Sequence, residues 1–193
     1  MKNELSLLLI ICSLGTGVHA QSVRYGFKAG GSLTRFTGSG TPLTGSSDLK
    51  PGFHGGAVAN VSVNDRLAIQ PEVLFSMKGQ QYDLLGATVK ETLNYIDVPV
   101  LLKLSTQGFF LEAGPQLGLL VSETNTGSKK VEAGYAAGLG YQLESGLNLG
   151  LRYNGGISKV YTVEYRDANN LPAGTYSPRN QAFQLYVGYL LPN

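Results

Sequence analysis

The chain has 193 residues, a formal net charge of +2, one cysteine, 26 glycines and 11 tyrosines. The near-balanced charge argues against a nucleic-acid partner, which calls for a concentrated basic patch. The single cysteine excludes a disulfide framework and a thiolate metal cluster, and the length suits one domain.

Met1 to Ala20 reads as a cleavable secretory signal. Lys2 gives a positive start, Leu5 to Leu14 an apolar core, and Val18-His19-Ala20 a small-residue cleavage site before Gln21. Cys12 lies inside this segment, but Ile11 precedes it, where a lipoprotein signal has a small residue. The domain expected after cleavage is 21–193, free of cysteine. No segment after residue 20 has the length and apolarity of a membrane-spanning helix. A membrane protein made from this chain must therefore be a closed barrel.

The remainder alternates with a period of two, the pattern of strands with one oily face. Tyr25, Phe27, Ala29, Gly31 and Leu33 form the first apolar face, and a polar loop from Phe36 to Lys50 follows. Phe53 to Val63 is the second strand, closed by Asn64-Asp65-Arg66, where Asn and Asp suit the positive φ of a hairpin turn. Leu67 to Met77 is the clearest strand: Leu67, Ile69, Pro71, Val73, Phe75 and Met77 against Ala68, Gln70, Glu72, Leu74 and Ser76. A loop is expected from Lys78 to Glu91, then a strand from Asn94 to Leu104, a short turn at Ser105 to Gly108, and a strand from Phe109. After the polar loop Ser122–Lys130 come a strand centred on Tyr135 to Leu143, the turn Glu144-Ser145-Gly146 and a strand Leu147–Asn154. The longest loop, Gly155–Arg179, precedes the last strand, Phe183–Leu191.

The expected architecture is all-β: an eight-stranded antiparallel up-and-down transmembrane β-barrel. Short turns alternate with long loops, as in barrels with short periplasmic turns and longer extracellular loops. A soluble eight-stranded carrier is the rival. Against it, the less apolar face is mostly Gly, Ala, Ser, Asn and Gln, too small and too weakly charged for a water-exposed surface. The apolar face also places aromatics at both ends: Tyr25, Phe27, Phe109, Tyr141 and Tyr189 at the short-turn end, Phe53, Phe75, Tyr135, Tyr153 and Phe183 at the other. Two girdles around an aliphatic band match the two interfaces of a bilayer.

Inward, the pattern places Lys28, Glu72, Asp97, Lys103, Glu112 and Arg152 well inside the strands, with Arg24, His54 and Lys78 nearer the ends. Three acids and three bases in a narrow lumen predict paired charges. Such a network is either a structural plug or the lining of a gated pore; eight strands enclose little space, which favours the plug. A lipid-modifying enzyme needs a nucleophile beside a base. His54 is the only histidine after residue 20, and its same-face neighbours along the strand are Gly52 and Gly56. No catalytic residue, cofactor or metal site is therefore expected. The glycine pairs Gly30-Gly31 and Gly55-Gly56 lie in strands without a following helix, so they are not nucleotide-binding fingerprints. Pro71, Pro99 and Pro115 fall inside strands that a barrel gives no edge, and each removes a ladder donor.

The segments RYGFKAGGSLTRF, KPGFHGGAVANVSVNDRLAIQPEVLFSMKG, YIDVPVLLKL and FFLEAGPQLGLL span most of the exported chain. Together with Pro71-Glu72, Asp97-Val98-Pro99 and Gly114-Pro115, they resemble the outer-membrane β-barrel domain proteins of Bacteroidetes often labelled PorT-like. The resemblance implies an outer-membrane location and an eight-stranded barrel, and no catalytic residue or defined substrate. The chain departs from the common aromatic C-terminus of such proteins, ending Tyr189-Leu190-Leu191-Pro192-Asn193. The expected partners are outer-membrane lipids and a surface ligand or protein met through the long loops, with the barrel acting as a monomer.

Overall fold

The computed structural model describes residues 22–39, 49–84, 87–124, 127–166, 170 and 172–192. The expected signal segment lies outside them. Among the described residues nine strands follow in order: β1 Ser22–Ser39, β2 Lys50–Ser62, β3 Leu67–Leu84, β4 Ala87–Thr106, β5 Phe109–Glu123, β6 Val131–Gln142, β7 Leu147–Gly156, β8 Val163–Arg166 and β9 Pro172–Leu190. All neighbouring strands pair antiparallel, in the order β1-β2-β3-β4-β5-β6-β7-β9, and β1 also pairs with β9. The sheet thus closes on itself as an eight-stranded barrel, which removes every edge from its wall. The four-residue β8 stands outside the wall and pairs only with the start of β9.

Burial follows the two-residue period. On β5, Phe110, Glu112 and Gln116 are buried while Phe109, Leu111, Leu117 and Leu119 are exposed. The exposed positions are apolar and the buried ones largely polar, the inverse of a water-soluble barrel and the arrangement that a lipid solvent demands. Rings meet at both ends of the wall. Phe27 stacks near Tyr189 and Phe109 near Tyr141 at the short-turn end; Phe53 meets Phe75, and Tyr135, Tyr153 and Phe183 form a row at the other.

The short turns are built by three different devices. Gln107 and Gly108 both have positive φ (50° and 84°), the two-residue type I′ turn whose twist suits a hairpin. The β6–β7 turn ends on Gly146 with φ 94°. At the β2–β3 turn the expected positive φ does not occur at Asn64 or Asp65. Instead the Asn64 side chain accepts hydrogen bonds from the Arg66 and Leu67 amides at 3.0 and 2.9 Å. Asparagine serves here through its carbonyl oxygen, as in an Asx turn.

Two expected loops are strands. The stretch Lys78 to Glu91 continues the β3–β4 ladder up to the pair Leu84–Ala87, and Gly155 to Arg179 contains β8 and the start of β9. On the β3–β4 extension polar residues fall on both parities, Gln80 and Gln81 on β3 and Lys90 and Glu91 on β4, so no apolar alternation marks it. The prolines occupy defined breaks. Register is kept across each, but the pairs Ala59–Pro71 on β2–β3, Glu72–Pro99 on β3–β4 and Val100–Pro115 on β4–β5 are missing from the ladders. Each proline stays paired on its other side, with Val100, Gln116 and Tyr135 respectively. Both main-chain polar groups of an antiparallel residue face the same neighbour, so each proline spoils one ladder and leaves the other intact.

Candidate functional site in the lumen

Among the described residues the lumen holds two ionic clusters. In the lower one, Glu72 on β3 accepts from Lys28 of β1 at 2.8 Å and from Arg152 of β7 at 2.7 Å. Arg152 also reaches Glu112 of β5 at 2.6 Å. Tyr186 on β9 donates to Glu112 at 3.0 Å, and the Lys28 ammonium lies 3.9 Å from the centre of its ring. Gln70 donates to Glu72 at 2.7 Å, so the carboxylate is surrounded by donors. Four of the six residues expected in a charge network, from four strands, therefore meet directly: Lys28, Glu72, Glu112 and Arg152.

The other two stand apart from that group. Asp97 belongs to an upper cluster, accepting from Lys78 at 2.9 Å; Lys78 also reaches Glu132 at 3.2 Å, and Asn180 donates to Glu132. Lys103 forms no ion pair among the described residues; it donates to Gln142 at 2.9 Å and sits 4.0 Å above the Phe110 ring. Sequence reasoning placed Lys78 near a strand end and left Glu132 unassigned. Both lie deep because β3 and β6 begin and end further out than the alternation suggested. The signal for Glu132 was its parity on β6, shared with Gly134 and Ala136. Arg24 lies outside both clusters and donates to the Leu190 and Leu191 carbonyls, clasping the end of β9.

Between the clusters lies a polar layer. His54 and Ser76 are register partners on β2 and β3, both buried, and neither ring nitrogen of His54 nor the Ser76 hydroxyl has a protein partner. The Tyr186 ring packs edge-on to His54 at 6.5 Å. His54 and Ser76 thus make no hydrogen bond of the kind that joins a nucleophile to its base. Among the described residues, no three His, Cys, Asp or Glu side chains converge on a metal geometry.

Above the upper cluster the mouth is closed by carbon. Val160, from the segment between β7 and β8, packs with Phe36 of β1 and with Leu93 and Tyr95 of β4, all buried, and Leu120 and Tyr161 flank them. Main-chain bonds pin the segment: Val160 donates to Pro178 and accepts from Lys129, each at 2.8 Å. Phe36 faces inward where the pattern led one to expect loop, and Leu93 lies just before the expected start of its strand. Outside the membrane, burial holds the Glu91 carboxyl above its ordinary range even though Gln80 donates to it.

A closed wall, apolar outside, girdled by aromatics and charged within, defines an integral outer-membrane β-barrel. The chain belongs to the outer membrane protein beta-barrel domain family, whose model matches residues 19–162. Its fold is that of the Neisserial surface protein A crystal structure, with 18% identity, a TM-score of 0.52, and coverage of 87% of this chain and 98% of that one. It is also similar to OprG of Pseudomonas aeruginosa, with 12% identity, a TM-score of 0.48 and coverage of 89% and 95%. Ail, the attachment invasion locus protein of Yersinia pestis, gives 11%, 0.47, 87% and 98%. No curated protein matches the chain.

Proposed function

We propose that this outer-membrane barrel is a sealed scaffold that presents its long hairpins to the cell exterior, and that it neither conducts nor catalyses. Among barrels of its family we read it as PorT-like, exported by the signal at Met1 to Ala20 and acting as a monomer in outer-membrane lipid. The observation that carries the reading is the Lys28–Glu72–Arg152–Glu112 network across the lumen. Buried charges paired in this way resist displacement by a passing ion, since opening the network leaves uncompensated charge. The apolar closure around Val160 adds a second obstacle. Rigid hairpins on such a base suit recognition of a surface ligand or protein.

The rival reading is a narrow pore, and one feature favours it. The buried polar atoms of Ser32, His54, Ser76 and Gln184 without protein partners suit water inside the lumen. Planar-bilayer recording separates the two. The sealed scaffold gives no steady single-channel conductance; a steady conductance changed by Glu72→Gln or Arg152→Gln overturns it in favour of the pore. For both variants, heat-dependent gel mobility verifies that the barrel has folded.

A further inference from the structure

The wall is not uniformly convex toward lipid. A groove of about 810 Å³ runs over β1, β9, β7 and β6, lined on its outer side by Gly31, Leu33, Ala137, Leu139, Leu151 and Phe183. At Gly31 the space is open: a β-carbon built there would meet nothing within 4 Å. Tyr153 and Phe183 of the ring row line it, and two arginines stand one step further out along the strands. Arg35 lies two residues beyond Leu33 on the same face of β1, and Arg179 of β9 is the register partner of Thr37. That places the two arginines at diagonal positions across one strand pair, within reach of one another's guanidinium. Arg35 donates to Gln181 at 3.2 Å, and Gln181 donates to the Tyr153 hydroxyl at 2.7 Å, so a polar chain ties the arginine to the ring row.

Neither arginine has an ion-pair partner among the described residues, unlike Lys28, Lys78 and Arg152 in the lumen. The described outward positions of β1, β2, β6, β7 and β9 carry no carboxylate. Two exposed cations thus stand just outside an aromatic girdle, at headgroup depth, beyond a groove with a largely apolar lining. Guanidinium forks match phosphate oxygens bidentately, and cations at this depth draw anionic headgroups.

We propose that Arg35, Arg179 and the groove beneath them form a binding site for a phosphorylated lipid of the outer leaflet, the arginines holding its phosphate and the groove an acyl chain. This rests on the long-hairpin end facing outward, which is open to a separate check by surface labelling.

The test is native mass spectrometry of the folded full-length barrel in detergent, titrated with three probes: bis-phosphorylated hexa-acyl lipid A, the same lipid without phosphates, and phosphatidylcholine. The phosphorylated lipid is expected to bind most tightly. Replacing both arginines (Arg35→Gln with Arg179→Gln) should weaken it on the order of 25-fold, about fivefold for each charge, to the level of the dephosphorylated lipid. Gly31→Trp, which fills the groove, should weaken both forms of lipid A. Heat-dependent gel mobility shows that each variant is folded. Equal binding of phosphorylated and dephosphorylated lipid, or no loss in the double arginine variant, overturns the proposal. So does full competition by inorganic phosphate, which would mean the groove holds nothing.

Discussion

Glu72 is the residue on which the interior turns. It answers two cations, Lys28 and Arg152, from strands on different sides of the barrel, and it is almost fully buried. Substituting Gln keeps the shape and removes the charge, so both cations lose their shared counterion in a place water cannot readily repair. Breaking a buried pair in this way costs about 3–5 kcal/mol. Urea unfolding of the barrel in lipid vesicles, followed by tyrosine fluorescence, should show a loss of that size for Glu72→Gln. Lys103→Met gives the contrast. Lys103 has no ion pair among the described residues; its ammonium lies over the Phe110 ring and donates to Gln142, so methionine removes one charged hydrogen bond and strands no opposite charge, and the loss should be smaller, about 1.5–3 kcal/mol. Equal losses in the two variants would mean that burial, rather than pairing, sets the cost. Which charges faced inward was readable from parity alone. Which of them met was not, because Glu72 and Arg152 are brought together by barrel closure and lie 80 residues apart in the chain.

At the scale of the element, the prolines show both the reach and the limit of the pattern. Alternation located the strands that contain Pro71, Pro99 and Pro115, and it named the missing donor as the difficulty. It could not say which neighbour each proline faces, since that depends on register. The ladders place the three gaps on successive strand pairs, so the carbonyls of Ala59, Glu72 and Val100 receive no ladder donor from their partners. Pro115→Val is the cleanest test, because residue 115 is exposed on the lipid face and its replacement disturbs no buried packing. Its restored amide faces Val100. The expected gain is about 0.5–1.5 kcal/mol of unfolding free energy, read from the same urea titration. A loss instead would show that the open ladder is a shape the barrel needs, and that the new amide is left unpaired in hydrocarbon. The extended hairpins were missed for a different reason. Past Met77 on β3 and before Thr92 on β4 polar residues fall on both parities, Gln80 with Gln81 and Lys90 with Glu91, so the hydrophobic period is lost there.

For the whole molecule, the asymmetry of its ends sets the orientation. One end has turns of two or three residues, at Gln107-Gly108 and Glu144 to Gly146; the other carries β8 and the β3–β4 extension. The alternation of short and long connections was legible from composition before any pairing was known, because turn residues and polar runs recur between apolar strands. Outer-membrane barrels keep their short turns in the periplasm and their longer loops outside, so Glu164 on β8 should face the medium and Ser145 the periplasm. The only cysteine is Cys12, inside the expected signal segment, which makes single-cysteine labelling direct. Intact cells making Glu164→Cys should react with a membrane-impermeant maleimide, while cells making Ser145→Cys should react only after the outer membrane is permeabilised. Both positions are exposed, so access to reagent, not burial, decides the result. The reverse pattern would turn the barrel over. It would put the Arg35–Arg179 pair at the inner leaflet and the hairpins in the periplasm, where they could meet no partner outside the cell.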